Sequence, residues 1–296
     1  MAEMFLNCTS LTSLDISSFK TNIVEKMDYM FKDCISLTSI DVSNFEGYKV
    51  TTIYSIFQNC IKLTSINLSK FRTNSLNNME FAFQNCTSLK YLDISKLLTS
   101  QVKSMKNVFD NCNSLGTLDI SNFDTSLTTN MQSFFKGCHS LFNLNINKLD
   151  TSSVYNMNSM FRDCELLTSL DLSHLDTSLV TDMSYMFSNC NSLIELKIEF
   201  NTEKVHYMNS MFNSCSQLKE LNICSFNTQF CNNFDHIFDG CKLELYLNEK
   251  NCSNLIEKIP SNIPYLTVLS INLLSVTIFF RKLTWLSFNL YFCEKF

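Results

Sequence analysis

Apolar residues recur along most of the chain in a fixed order that repeats every 26 residues, with one interval of 25. The most regular position is a cysteine, and a phenylalanine stands three residues before every one of these cysteines. A period of this length is typical of a solenoid, in which each repeat forms one coil and buries its apolar side against its neighbours. The cysteines of this column are Cys8, Cys34, Cys60, Cys86, Cys112, Cys138, Cys164, Cys190, Cys215 and Cys241.

The residues after each cysteine predict a short strand. In the unit CNSLGTLDISNFDTS the apolar positions are Leu115, Leu118, Ile120 and Phe123. Their central part, L-x-x-L-x-I, is the strand phrase of leucine-rich repeats. Alternation through Leu118 and Ile120 favours a strand with one buried face, and equivalent strands are expected to stack in parallel about 4.8 Å apart.

The second half of each unit predicts a short helix or a tight 3₁₀-like turn. In DTSLVTDMSYMFSNC, Val180, Met183, Met186 and Cys190 recur at helical steps, and Thr177 precedes them as a candidate cap. The expected fold is therefore an α/β repeat solenoid, a leucine-rich-repeat-like right-handed coil of short parallel strands and short helices, with about ten units of 26 residues.

The repeats predict one elongated domain over residues 1–252, followed by a non-repeat hydrophobic segment over residues 253–296. Met1 aligns with Met27, so the chain opens inside a repeat, and we expect a fragment of a longer protein or a late start codon. Residues 263–280 are uncharged and just reach the length of a membrane span. They predict a strand cap on the last coil or a membrane anchor, and an aberrant tail is a third reading.

Composition narrows the function classes. The net charge is −5 with both signs mixed, which argues against nucleic-acid binding. Only 4 Gly and 2 Pro are present, so phosphate-binding loops are not expected. No cysteine or histidine pair has zinc-site spacing, and the ten cysteines of the repeating column are expected to be buried free thiols. The sequence therefore predicts no enzyme, no metal and no cofactor, and no signal peptide is visible at the amino terminus.

The candidate binding residues are the outward positions of the predicted strands, on the expected concave side of the solenoid. A Ser-Asp-Ser stripe there has two interpretations. It predicts a groove that binds a polar or basic polypeptide, or a glycan, or else a face that is polar only for solubility. Tyr91 is the aromatic residue that interrupts the stripe. The candidates are Asp15, Asp41, Asn67, Tyr91, Asp93, Asp119, Asn145 and Asp171.

The unit LTSLDLSHLDTSLVTDMSYMFSNC, from Leu167 to Cys190, resembles the repeats of the BspA-like leucine-rich-repeat surface proteins, in the mycoplasma variant with 25 or 26 residues per repeat. The resemblance implies a solenoid displayed at the cell surface or outside the cell, with adhesion or protein binding as its function. A cytoplasmic location is the alternative. The alternative function is a structural spacer whose recognition lies in flanking regions.

Overall fold

The computed structural model describes residues 1–258 and 267–270. Its strands are short and evenly spaced along the chain, and one helix follows the repeats. The elements are β1 (Ser65–Asn67), β2 (Tyr91–Asp93), β3 (Thr117–Asp119), β4 (Asn143–Asn145), β5 (Ser169–Asp171), β6 (Glu195–Lys197), β7 (Glu220–Asn222), β8 (Glu244–Leu247), α1 (Glu249–Lys258) and β9 (Thr267–Ser270).

Every ladder between these strands is parallel, and those from β1 to β8 join equivalent residues of consecutive coils. Strands β1 and β2, β3 and β4, and β5 and β6 form pairs, and β7, β8 and β9 form a three-stranded sheet. The register places Leu118 opposite Leu144 and Leu170 opposite Leu196. The molecule is thus a parallel-strand solenoid of about seven turns. The count of ten units and the right-handed coil remain predictions.

The segment expected to form a short helix is instead a series of tight turns. The backbone N–H of Met30 donates to the carbonyl of Met27, and that of Cys34 donates to Phe31. Tyr29 and Asp33 lie between these partners with φ of 57° and 61°. A right-handed helix requires negative φ throughout, so the residues of positive φ interrupt it twice in each coil. Of the two predictions, a short helix and a tight 3₁₀-like turn, the turn is closer to the observed structure.

Hydrogen bonds between coils explain why turns replace the helix. The amides of Tyr29 and Phe31 donate to the carbonyls of Tyr54 and Ile56 in the next coil, each at 2.9 Å. A helix would use these amides internally, and this side of consecutive coils would then be joined by side chains alone. The expected cap is also different, because Thr177 Oγ1 donates to the Asn201 carbonyl of the next coil, 2.9 Å away.

The core consists of ladders of equivalent side chains, which are identical in the phenylalanine and cysteine columns. The rings of Phe83 and Phe109 stack with centroids 5.7 Å apart and planes within 4° of each other. Phe109 and Leu118 are buried, as the repeat register predicts. A second ladder contains threonines, in which Thr125 Oγ1 donates to the carbonyl of Asp150 at 2.7 Å. Each coil therefore packs and hydrogen-bonds to the next through the same positions.

The carboxyl-terminal end of the repeats carries α1, which has a kink at Cys252, and then β9. Strand β9 pairs in parallel with β8, so it adds a strand after the last coil. The remainder of the expected cap or anchor at 263–280 lies outside the described residues. Within residues 1–258 and 267–270, no helix has both the length and the apolar character that crossing a membrane requires.

Candidate binding face

The outward residues of the strands form one polar surface, which we call the strand face. It comprises the first and third residues of β1 to β7 and the equivalent residues Ser13, Asp15, Ser39 and Asp41 of the first two coils. The candidate residues divide by exposure. Tyr91 is 57% exposed, the half-buried candidates are Asp93 and Asn145, and the exposed ones are Asp15, Asp41, Asn67, Asp119 and Asp171.

Each aspartate of the strand face has a local backbone partner, which the sequence interpretation missed. Asp119 Oδ1 accepts the backbone N–H of Ser121 at 2.9 Å. Asn67 Oδ1 accepts the N–H of Ser69 in the same way at 3.0 Å. This is an Asx turn, in which the side chain replaces a backbone acceptor just after the strand. The sequence signal for this turn is D-x-S or N-x-S, which is present in most units. The same bond is made by Asp15, Asp41, Asp93 and Asp171.

In four of these aspartates the hydrogen bonds of the turn lower the pKa of the carboxyl group. The backbone N–H groups of Ser17 and Ser121 lower the pKa of Asp15 and Asp119. For Asp41 and Asp171 the side chain of the serine two residues later is the largest cause of the lowered pKa, and its backbone N–H adds to it. One carboxylate oxygen is engaged in the turn, and the negative charge remains at the surface.

In three strand pairs the third residue of one strand is a carboxylate and its partner is an amide or ammonium group, whereas Glu220 of β7 lies opposite Glu244 of β8. Asn67 is opposite Asp93, Asp119 is opposite Asn145, and Asp171 is opposite Lys197. Like charges directly opposite each other destabilise a sheet, so these partners make Asp93, Asp119 and Asp171 compatible with strand pairing. In the first two coils, Asp15 and Asp41 line a shallow open depression together with Ser13, Leu14, Ser39 and Ile40.

Two large apolar residues at the edge of the strand face were not among the candidates. Phe142, directly before β4, is 61% exposed, and Ile194, directly before β6, is 48% exposed. The outward columns predicted from the sequence began with Ser13, Asp15 and Ser17, so the residue directly before each strand was not among the candidates. Before β2 to β6 this column reads Lys90, Gly116, Phe142, Thr168 and Ile194, so two of five consecutive coils present a large apolar side chain there, and Tyr91 stands one position later in its own coil.

A separate stripe of exposed apolar side chains runs along the solenoid away from the strands. Its residues lie in the segment of each coil that connects the buried threonine to the tight turns. About one large apolar side chain in each coil belongs to it. Its members are Leu127, Tyr155, Leu179, Tyr207 and Phe230. We call it the lateral stripe, and it provides control positions of similar size and exposure to those of the strand face.

The thiols of the cysteine column are placed for packing rather than for chemistry. Burial raises the pKa of Cys34 to about 11 and the pKa of Cys86 to about 12, so the reactive thiolate is disfavoured. Cys86 Sγ donates to the carbonyl of Phe57 at 3.2 Å. Within the described ranges, no three His, Cys, Asp or Glu side chains are grouped closely enough to hold a metal ion.

The comparison with solved structures found matches of low similarity. A complex of TLR13 with ssRNA13 is 20% identical, with 81% of this chain and 38% of that chain covered and a TM-score of 0.28. The Drosophila complex of Toll with Spatzle is 17% identical, with coverage of 84% and 39% and a TM-score of 0.31. InlJ of Listeria monocytogenes, described as including a cysteine ladder, is 16% identical, with coverage of 81% and 63% and a TM-score of 0.18.

The chain thus spans about two fifths of the length of the first two proteins. Strand pairing and backbone hydrogen bonds between coils define the fold of this chain. No curated protein matches the sequence. One family does match, in three consecutive segments over residues 1–92, 77–170 and 167–258. These segments cover the whole repeat region, and the chain belongs to the family described as Mycoplasma protein of unknown function, DUF285.

Proposed function

We propose that the chain is a non-enzymatic binding module that holds a protein partner on its strand face. The observation that carries the proposal is the row of ionised carboxylates, with Tyr91 exposed among them, on a surface that repeats from coil to coil. Stacked coils hold this row rigidly, and solenoids use such extended surfaces for recognition. A protein is favoured over nucleic acid because the charge of the face and of the whole chain is negative.

We place this activity at a cell surface or outside the cell, in keeping with the resemblance of the repeats to BspA-like surface proteins, and adhesion is the form of binding that this location favours. The buried free thiols are compatible with an oxidising compartment, because burial protects them from reagents. Detection of the chain on intact cells by protease shaving tests the location. Resistance to external protease, with digestion only after lysis, would contradict it.

A spacer array is the second candidate function, and one observation favours it. Every aspartate of the strand face that we proposed as a ligand group also accepts a backbone N–H two residues later. A role in the turn is sufficient reason for an aspartate at this position. The experiment that tests the proposed function must therefore remove the charge and keep the turn.

Asparagine substitution separates these roles, because Asn67 already forms the same turn in the same column. We expect the triple variant D93N/D119N/D171N to fold normally and to lose most of the partner capture from a surface-protein extract. D93K/D119K/D171K should lose all of it, since reversed charge repels a partner chosen for the acidic face.

The matched control is a second set of Asx turns away from the strand face. Asp124, Asp150 and Asp176 accept the N–H groups of Ser126, Ser152 and Ser178 at 3.1, 2.9 and 2.9 Å. D124N/D150N/D176N changes the net charge by the same amount, and capture should remain at the wild-type level. Equal capture by both triple variants and by the lysine variant would contradict the proposed function and favour the spacer.

A further inference from the structure

From β2 to β6, the large exposed apolar side chains on the strand face or directly before its strands occur on alternate coils. Tyr91, Phe142 and Ile194 are 57%, 61% and 48% exposed, and they stand at or directly before β2, β4 and β6. We call these three residues the anchor row. Neighbouring parallel strands lie about 4.8 Å apart, so consecutive members of the anchor row are separated by about 10 Å along the solenoid axis.

The coils between the anchors carry small residues, which leaves room on both sides of each anchor. Gly116 precedes β3, and a Cβ atom there would come within 3.0 Å of Phe142 Cε1. The missing side chain allows the Phe142 ring to lie against the backbone of the preceding coil. The ring is therefore held over the sheet, with one side of it facing solvent.

The surroundings of the anchor row are polar and acidic. From β2 to β6, the outward positions and the residue before each strand contain the carboxylates of Asp93, Asp119, Asp171 and Glu195. The ammonium groups in the same set belong to Lys90 and Lys197, and Lys197 Nζ already lies 3.2 Å from Glu195 Oε1. A partner with basic side chains between its apolar ones matches this charge.

The spacing of the anchors selects the conformation of the partner. A polyproline II segment rises about 3.1 Å per residue with three residues per turn, so one side of it repeats about every 9.3 Å. An α-helix also has a repeat near this length, at about 10.5 Å for seven residues. A helix, however, needs a continuous apolar groove, because its backbone groups are already bonded to one another.

The strand face is not such a groove. Between the anchors it offers hydroxyl, amide and carboxylate groups, including Thr117, Asn143 and Ser169. A polyproline II segment has no internal hydrogen bonds, so its backbone groups can pair with these side chains. The polar floor and the isolated anchors therefore both favour an extended partner.

We propose that Tyr91, Phe142 and Ile194 anchor a basic polypeptide segment that lies along the solenoid axis in polyproline II conformation, with an apolar side chain at every third residue. The basic side chains of the segment reach the carboxylates of Asp93, Asp119 and Asp171. This inference rests on the proposed function, because it names the partner class for the same face.

The test uses the full chain and synthetic peptides with a fluorescent label, about 15 residues long, which is enough to pass all three anchors at about 3.1 Å per residue. The first peptide repeats Leu-Pro-Arg. The second repeats Leu-Pro-Glu, which keeps the spacing and reverses the charge. The third peptide has the same composition as the first, but its leucines are separated by two or four positions in turn instead of by three. The fourth is an Ala-rich helical peptide with leucine and arginine on one face.

We expect fluorescence anisotropy to show binding of the Leu-Pro-Arg peptide only. The variant F142A should weaken that binding at least about tenfold, as is typical of a truncated aromatic anchor. Y155A is the control, because Tyr155 lies in the lateral stripe with 48% exposure. Its binding should stay within about twofold of wild type, which is below the cost of losing an anchor.

Three results would overturn the inference: no binding of the Leu-Pro-Arg peptide, equal binding by wild type and F142A, or preference for the helical or re-spaced peptide. The proposed function has its own readout in the capture experiment with D93N/D119N/D171N. If that variant loses partner capture while the Leu-Pro-Arg peptide fails to bind, the strand face is a binding surface and its partner is of another kind.

Discussion

The thiol of Cys112 donates a hydrogen bond to the carbonyl oxygen of Phe83, which lies 3.2 Å away in the preceding coil. The same carbonyl accepts the backbone N–H of Cys86 at 3.1 Å. One carbonyl thus completes a turn within its own coil and receives a bond from the next coil. A small apolar side chain that still donates satisfies this position, which explains why cysteine recurs there.

The first prediction concerns thiol reactivity. Cys112 is fully buried and its pKa is raised well above the ordinary value, chiefly by burial, whereas Cys8 in the first coil is partly exposed. We expect a thiol reagent to label Cys8 quickly in the native protein and Cys112 only after denaturation. Peptide mapping by mass spectrometry identifies the labelled sites. Native labelling of Cys112 as fast as that of Cys8 would place the column at the surface.

The second prediction concerns stability at alkaline pH. The Cys86 thiol has an ordinary pKa of 9.0 and a pKa of about 12 in the folded chain. Because the unfolded chain loses this proton first, the stabilising contribution is complete below about pH 9 and declines as the pH rises towards about 12. Urea unfolding of wild type and C86A over this range measures the decline.

The variant C86A lacks one of these protons, so its unfolding free energy should fall less steeply, by up to about 1.4 kcal/mol per pH unit above pH 9. Lysine and tyrosine side chains titrate in both wild type and C86A, so their contributions cancel when the two slopes are compared. Identical slopes for the two proteins would contradict the burial of this thiol.

The third prediction concerns the phenylalanine ladder. Phe109 stacks between Phe83 and Phe135 and is buried. F109A should lower the unfolding free energy by about 3 to 5 kcal/mol, since it removes the ring and leaves a cavity. Q101A is the control, because Gln101 is exposed on the same coil. Equal thermal stability of the two variants would show that the register of the repeats is wrong.

The fourth prediction concerns Gly137, which has φ of +69° in the same column as Asn85 and Asn111. The Asn111 amide donates to Asn85 Oδ1 at 3.0 Å, and an added Cβ at Gly137 would meet Asn111 Oδ1 at 2.2 Å. Alanine there should cost about 1 kcal/mol, because it adds bulk and a strained φ without a compensating bond.

Asparagine at the same position should cost less than alanine. It tolerates positive φ better, and its amide can extend the row of side-chain amides through Asn111. Thermal unfolding of G137A and G137N measures the difference. A greater loss for asparagine than for alanine would argue against the amide row as a stabilising feature.

Much of the fold could be predicted from the sequence because each buried column keeps its chemistry from coil to coil. Phe109, Cys112 and Leu118 are buried as the register requires. The predicted helix was wrong because apolar positions spaced three or four residues apart fit a series of turns as well as they fit a helix. What distinguishes the two is the positive φ at residues such as Ser133 and Asn189, and no apolar pattern reports it.

The strand face was predictable in outline only. Alternation identified Asp119 and Tyr91 as outward residues, yet it could not show that Asp119 holds a turn through Ser121. The exposure of Phe142 was also missed, because a residue directly before a strand has no place in the alternation. Its outward position depends on the small Gly116 of the neighbouring coil, which is a relationship between repeats rather than within one.

Recognition through the strand face is the central claim, and site-specific photo-crosslinking tests it most directly. A photoreactive phenylalanine analogue replaces either Tyr91 on the strand face or Tyr155 on the lateral stripe, which are 57% and 48% exposed. Each protein is irradiated with the same surface-protein extract, and the crosslinked products are compared. We expect a discrete crosslinked partner from position 91 that is absent at position 155 and is lost in the D93N/D119N/D171N background. Crosslinking from position 155 alone, or equally from both positions, would contradict the claim.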